Sequence, residues 1–159
     1  KHRFTEVLQA MLAAHPYEEV AYDVYSLENT FSGAGRGRLG ELPGSVSLKA
    51  LASRIGRLLK SGWVRTTGEL DRKIRTVAVA AGSVREMVNT AKRAGADVLL
   101  AGEIPHHERL EALDEDLGVI EAGHGPSERP AVWVLEEWLK KAFGKRLKVI
   151  SYDPEEGAN

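Results

Sequence analysis

The chain has no cysteine. That excludes disulfides, thiolate nucleophiles and zinc sites built on sulfur, so any metal must be held by His, Asp and Glu. The lack also fits an intracellular, cytoplasmic setting. No apolar run approaches the ~20 residues that span a bilayer, so no membrane segment is expected. Charge of neither sign dominates: 22 basic and 23 acidic residues leave a net charge of -1, and no nucleic-acid partner is expected. There is no starting Met and no apolar signal core at Lys1-His2-Arg3-Phe4. The chain therefore reads as cut from something longer. Internal repeats, a phosphate-binding G-x-x-x-x-G-K-[ST] loop and a Ser-His-Asp order are also missing.

What is present is an ordinary globular balance, 43% hydrophobic and 28% charged over 159 residues, enough for one domain or two small lobes. Phe4, Val7, Leu8, Met11 and Leu12 recur at helical spacing, so residues 3–14 predict a helix that His15-Pro16 ends. Alternation of Val20, Tyr22 and Val24 predicts a strand over 20–27, and the Gly- and Pro-containing stretch 28–44 a loop. Leu48, Leu51, Ile55 and Leu58 mark a second helix with Ser47 as its N-cap, followed by a short strand over 63–67.

From residue 74 the expected order is β-α-β-α-β-α-β. The strands are 74–80, 98–101, 119–122 and 147–152; the helices are 83–94 (capped by Ser83), 106–116 and 128–143 (capped by Ser127). Alternating strands and helices predict an α/β fold with a largely parallel sheet. The part before it, α-β-loop-α-β, is more like a split α+β unit, and the boundary is placed near 68–72.

Two of these strands end in polar clusters. Residues 98–101 run into Gly102-Glu103-Ile104-Pro105-His106-His107, and 119–122 into Gly123-His124-Gly125-Pro126-Ser127-Glu128. Three of the five histidines lie there. Ligands bind outside the carboxyl ends of strands in open α/β sheets, so adjacent strands would put these side chains on one rim. His124 and Glu128, four apart, make half of a nitrogen–oxygen metal site. Spacing alone favours Glu128 as a partner of the helix dipole and His124 as a surface loop residue, since an acid in a helix's first turn is favoured without any ligand. Glu103 reads equally as ligand, general base or loop acid. His106 and His107 point in different directions, so at most one faces a shared cleft. Gly35-Arg36-Gly37-Arg38-Leu39-Gly40 matches G-x-G-x-x-G, but Glu41-Leu42-Pro43-Gly44 follows instead of a helix, and no cofactor-binding residue is assigned from it. Trp63, Trp133 and Trp138 read as core or interface packing.

Four blocks in order carry a resemblance. His15-Pro-Tyr-Glu-Glu-Val-Ala-Tyr-Asp-Val-Tyr25 and Gly35-Arg-Gly-Arg-Leu-Gly-Glu-Leu42 resemble the PII/CutA-like insert of long-form "GTP cyclohydrolase I type 2 homologue", or Nif-three-like, proteins. Gly95-Ala-Asp-Val-Leu-Leu-Ala-Gly-Glu103 and Gly123-His-Gly-Pro-Ser-Glu128 resemble the C-terminal lobe of the same family. The resemblance implies residues 1–70 as an insert segment, incomplete at its N-terminus, and 71–159 as the C-terminal lobe. It implies a cleft with two divalent metal ions between two lobes, with His124 and Glu128 as this lobe's ligands and Glu103 and His107 as candidate cleft residues. The family's paired-His motif and Asp belong to an N-terminal lobe outside this chain. Relatives tend to be richer in glycine where Ala81-Gly82-Ser83-Val84 stands. Two expectations follow from the resemblance: a metal-dependent hydrolase of a nucleotide-like small molecule, and, from a different class, a non-catalytic regulatory module. A homo-oligomer is implied for either.

Overall fold

A computed structural model describes residues 4–25 and 35–152. The chain forms two compact units, residues 1–34 and 35–159.

The first unit holds one helix, α1 (Phe4–Ala14), none of whose residues is buried. Beyond it the Tyr17 N–H donates to His15 Nδ1 at 3.2 Å, and the two rings meet edge to face. Residues 20–25 are not a strand, although their side chains alternate as expected. A strand needs a hydrogen-bonded neighbour, and among the described residues none is supplied. Residues 26 and 27 of that expected strand lie outside the described residues.

The second unit is built on one five-stranded sheet. Its elements are β1 (Arg38–Ser47), α2 (Leu48–Leu58), β2 (Arg65–Thr67), β3 (Lys73–Ser83), α3 (Val88–Arg93), β4 (Val98–Glu103), α4 (His106–Asp114), β5 (Gly118–Glu121) and α5 (His124–Phe143). The strand order is β1-β3-β4-β5-β2. The three central strands are parallel, as the β-α-β-α-β order requires, and the two edge strands run antiparallel to them. β1, α2 and β2, expected to belong to a segment separate from the C-terminal lobe, share this sheet and its core.

Alternation along the central strands explains the layering. Val98, Leu100, Ile120 and Ala122 point to one face, where Leu48, Leu51 and Ala52 of α2 cover them together with Ile74. Leu99, Ala101 and Val119 point to the other, against Val88 and Ala91 of α3 and Ala112 of α4. A strand buried on both faces must be apolar throughout, which is why 98–101 reads as one apolar run. Ser47 caps α2 as expected, accepting the Ala50 N–H.

Four boundaries differ from expectation. Residues 38–44 lie in β1 rather than in a loop; Pro43 and Gly44 fall where the register shifts between Glu41 and Val46, a bulge on an edge strand where a missing N–H costs no ladder bond. Ser83 does not cap a helix: it pairs with Glu103 at the end of β3, and α3 starts only at Val88. Helix α5 starts at His124, four residues early, because Gly123 adopts φ +88 and makes the turn there. No strand forms over 147–152; a 3₁₀ turn over Gly144–Arg146 follows α5, and Ser151 donates to the Glu136 carboxylate instead.

Candidate functional site

The site lies where the carboxyl ends of β3, β4 and β5 meet the start of α5. β4 and β5 are parallel neighbours, with Ala101 opposite Glu121. Their pairing continues past the strand ends, through Ala122 N–H to Ala101 O and Gly123 N–H to Gly102 O. His124 and Glu103 therefore leave the sheet side by side. His124 Nδ1 is 3.1 Å from Glu103 Oε1, and His124 Nε2 is 3.4 Å from Glu128 Oε1. Each of the three side chains is about half exposed, at 50–52%.

Two glycines and a serine make room for this arrangement. Gly82, at φ +68 on the end of β3, lies against the Glu128 carboxylate, and any Cβ there would overlap it. A Cβ on Gly102 would come within 2.5 Å of the Gly82 carbonyl oxygen and of Ser127 Oγ. The Ser127 hydroxyl does not cap α5. It accepts the Gly82 N–H at 2.9 Å and donates to the His124 carbonyl at 2.8 Å, tying the first turn of α5 to β3. Sequence reasoning missed Gly82, Gly102 and this use of Ser127. Nothing in local spacing marks a contact across 45 residues.

Beneath the rim lies a buried carboxylate. Glu121, 2% exposed, accepts the Ile104 N–H at 3.1 Å and the Arg109 guanidinium at 3.2 Å. This fixes the backbone next to Glu103. Glu108, equally buried, accepts the Glu86 N–H through both oxygens and ties the start of α4 to the loop before α3. Both meet the requirement that a buried charge be paired or hydrogen-bonded. The sequence holds one faint signal for Glu121, an acid inside an apolar strand.

Electrostatically the imidazole is held between two acids. Its pKa is raised above the ordinary 6.5, first by the hydrogen bond to Glu103 and then by the charge of Glu128, with partial desolvation opposing both. The imidazolium is thereby favoured, with both ring nitrogens donating.

The structure brings together His124, Glu128 and Glu103. It does not bring His107 to them: that side chain is exposed in the first turn of α4 and bonds to none of the three. His106 beside it is likewise exposed. Among the described residues no group of three or more His, Asp and Glu side chains is arranged to hold a metal ion. The imidazole stands between the carboxylates and uses a different nitrogen for each, so the three do not converge on one point. The donor chemistry of the rim, imidazole nitrogen with carboxylate oxygen, fits a divalent ion; the number of converging donors falls short of the three or four usually needed. No described helix is long and apolar enough to cross a membrane.

Comparison with known proteins finds relatives along nearly the whole chain. The chain is 34% identical over 150 residues to "GTP cyclohydrolase 1 type 2 homolog" of Halalkalibacterium halodurans, covering 94% of this chain and 39% of that protein. It is 34% identical over 153 residues to the protein of the same name from Bacillus subtilis, covering 96% and 39%. Among solved structures, a Bacillus cereus protein related to NIF3 superposes with a TM-score of 0.63 at 33% identity, covering 94% of this chain and 43% of that one. The chain thus spans about two fifths of the length of the curated relatives it matches. The family described as Duf34/NIF3 (NGG1p interacting factor 3) matches residues 4–156, and the chain belongs to that family.

Proposed function

We propose that this chain supplies one half of a divalent-metal site in a metal-dependent hydrolase acting on a nucleotide-like small molecule. The observation that carries the reading is the Glu103–His124–Glu128 chain at the carboxyl ends of β4 and β5, with contacts of 3.1 and 3.4 Å. His124 and Glu128 are the ligands. Glu103 orients the imidazole through Nδ1, which leaves Nε2 as the coordinating atom; a carboxylate on the second ring nitrogen is the usual support of a ligating histidine. Gly82 keeps the approach to both ligands clear of a side chain, since a Cβ there would overlap the Glu128 carboxylate and lie 3.4 Å from His124 Nε2. The remaining donors come from outside this chain, a reading supported by the two-fifths share of the relatives' length. A divalent ion held there would supply Lewis-acid polarisation of the substrate. The name carried by the curated relatives supports a purine nucleotide as substrate class, the balanced charge supports the absence of a nucleic-acid partner, and a chain without cysteine fits a cytoplasmic setting.

A second reading, a non-catalytic oligomerising or regulatory module, is supported by a different observation: the C-terminal half of α5 exposes Val134, Leu135 and Trp138.

The test of the metal reading is titration of the chain with Zn²⁺ or Mn²⁺, followed by calorimetry and by NMR of the histidine ring. Weak binding that perturbs His124 and vanishes in His124→Ala is expected. Millimolar metal that leaves His124 and Glu128 unperturbed would remove the reading.

A further inference from the structure

Trp63 stands at the edge of the rim, and the metal chemistry makes no use of it. The sequence predicts core or interface packing for this residue; its side chain is instead 51% exposed. Strand register explains where it lies. β2 runs antiparallel to β5 with Arg65 opposite Glu121, so two residues beyond the ladder Trp63 falls level with Gly123. The indole is found there: its Cζ2 lies 3.8 Å from the position a Cβ on Gly123 would take. The ring thus borders the backbone that leads into His124.

Alternation puts the ring on the same face as the rim. Arg65, Glu121 and Ala101 are in register across β2, β5 and β4, so their side chains share one face, and Glu103, two residues past Ala101, continues it. Trp63 keeps to that face, since the Arg65 guanidinium lies over its ring, 5.7 Å from the centroid. β2 and β4 are two strand spacings apart, so Trp63 and Glu103 flank a gap of about 10 Å across the mouth of β5.

The indole is also held in place. The Ser61 hydroxyl accepts the Trp63 N–H at 3.3 Å and donates to the Trp63 carbonyl, which fixes the backbone. The buried Glu121 carboxylate lies 3.9 Å from the Arg65 guanidinium and keeps it over one face of the ring. Gly123 meets the Cζ2 edge. The exposure is left to the face away from Arg65. A tryptophan half in water forgoes much of the burial its ring could contribute to the fold, and a rigid aromatic face beside a polar rim is suited to stacking a planar ring.

We infer that the face of Trp63 away from Arg65 is a stacking platform for the heteroaromatic base of the substrate. The inference rests on the reading of the rim as a site for a nucleotide-like molecule, and it assigns the base to the β2 side of that site. A base stacked there lies beside the His124 backbone and across the mouth of β5 from Glu103. Every base has a π-face, so the platform accepts a base without choosing among bases.

The experiment is NMR of the 159-residue chain titrated with guanosine 5′-monophosphate, and separately with ribose 5-phosphate, which carries the same sugar and phosphate but no base. The Trp63 indole N–H is assigned by its loss in Trp63→Leu. The nucleotide is expected to shift the Trp63 indole with millimolar affinity, and ribose 5-phosphate to leave it in place. Trp63→Leu, folded by its circular dichroism melt because the side chain it replaces is half exposed, weakens nucleotide binding read at the Gly123 amide about fivefold or more. Trp63→Phe keeps an aromatic face and stays within about threefold of the parent. An indole unmoved by about 20 mM nucleotide, well above a millimolar dissociation constant, overturns the inference. Equal shifts from the two ligands, or a Trp63→Leu chain that binds as the parent does, overturn it as well. Zinc titration of the same samples, read at the His124 ring, reports separately on the metal reading: Trp63→Leu should respond as the parent does. Zinc that leaves His124 unmoved while the nucleotide shifts Trp63 removes the metal ligands and upholds the platform; the converse removes the platform alone.

Discussion

Replacing Gly82 by alanine separates backbone strain from crowding at the rim. Gly82 has φ +68, a left-handed conformation that costs an L-residue about 1–2 kcal/mol. An added Cβ also overlaps the Glu128 carboxylate, but that carboxylate is half exposed and can swing into solvent with little loss of stability. The expected result is therefore a destabilisation of about 1–2 kcal/mol, which for a domain of this size lowers the melting temperature by roughly 2–8 °C. The displaced carboxylate leaves Nε2 of His124, so the part of the raised pKa due to Glu128 is lost and the imidazole titrates closer to 6.5. Gly82→Asn divides the two effects, since asparagine tolerates the left-handed region but is bulkier: it should recover part of the stability and none of the His124 shift. Thermal melts and NMR titration of the histidine ring measure both quantities. A Gly82→Ala chain as stable as the parent, or one whose His124 titrates unchanged, refutes the reasoning.

Glu121→Ala removes the acceptor for the Ile104 N–H and strands the Arg109 guanidinium, and a loss of about 3 kcal/mol is expected, at the lower end for a broken buried pair because Arg109 reaches water. Glu121→Gln keeps the acceptor and should cost only about 1–2 kcal/mol; equal losses for the two variants in urea denaturation would contradict this account. The His124 shift also sets a pH dependence. Because the folded state raises this pKa, the stability it contributes is complete below pH 6.5 and fades as pH rises through the raised value. Glu103→Gln should therefore flatten stability across that window, and identical pH profiles for variant and parent would rule the effect out. Metal must compete with the same proton, so the affinity for Zn²⁺ should increase as pH rises through the His124 titration, and a pH-independent affinity would exclude His124 as a ligand.

The apolar strands 98–101 and 119–122 and the helix α2 were legible because burial dictates composition locally: a strand covered on both faces is apolar except where a buried group such as Glu121 finds partners, here the Ile104 N–H and Arg109. His124, Glu128 and Glu103 were legible as candidates because polar residues directly after apolar strands stand at the mouth of a parallel sheet. Local pattern misled wherever a distant partner decided the outcome. Ser83 and Ser127 both read as helix caps, yet Ser83 is drawn into pairing with Glu103 and the Ser127 hydroxyl is spent on Gly82. Residues 20–25 and 147–152 have strand composition and no strand, since the ladder that makes a strand belongs to two segments.

The sequence by itself determined the parallel core and the family, because both are written in residues close together along the chain. Only the tertiary structure decided that Gly82 leaves room for the Glu128 carboxylate beside His124 and that Glu121 anchors the backbone beside Glu103. These depend on which segments meet, and chain separation carries no record of that until the strands are in register.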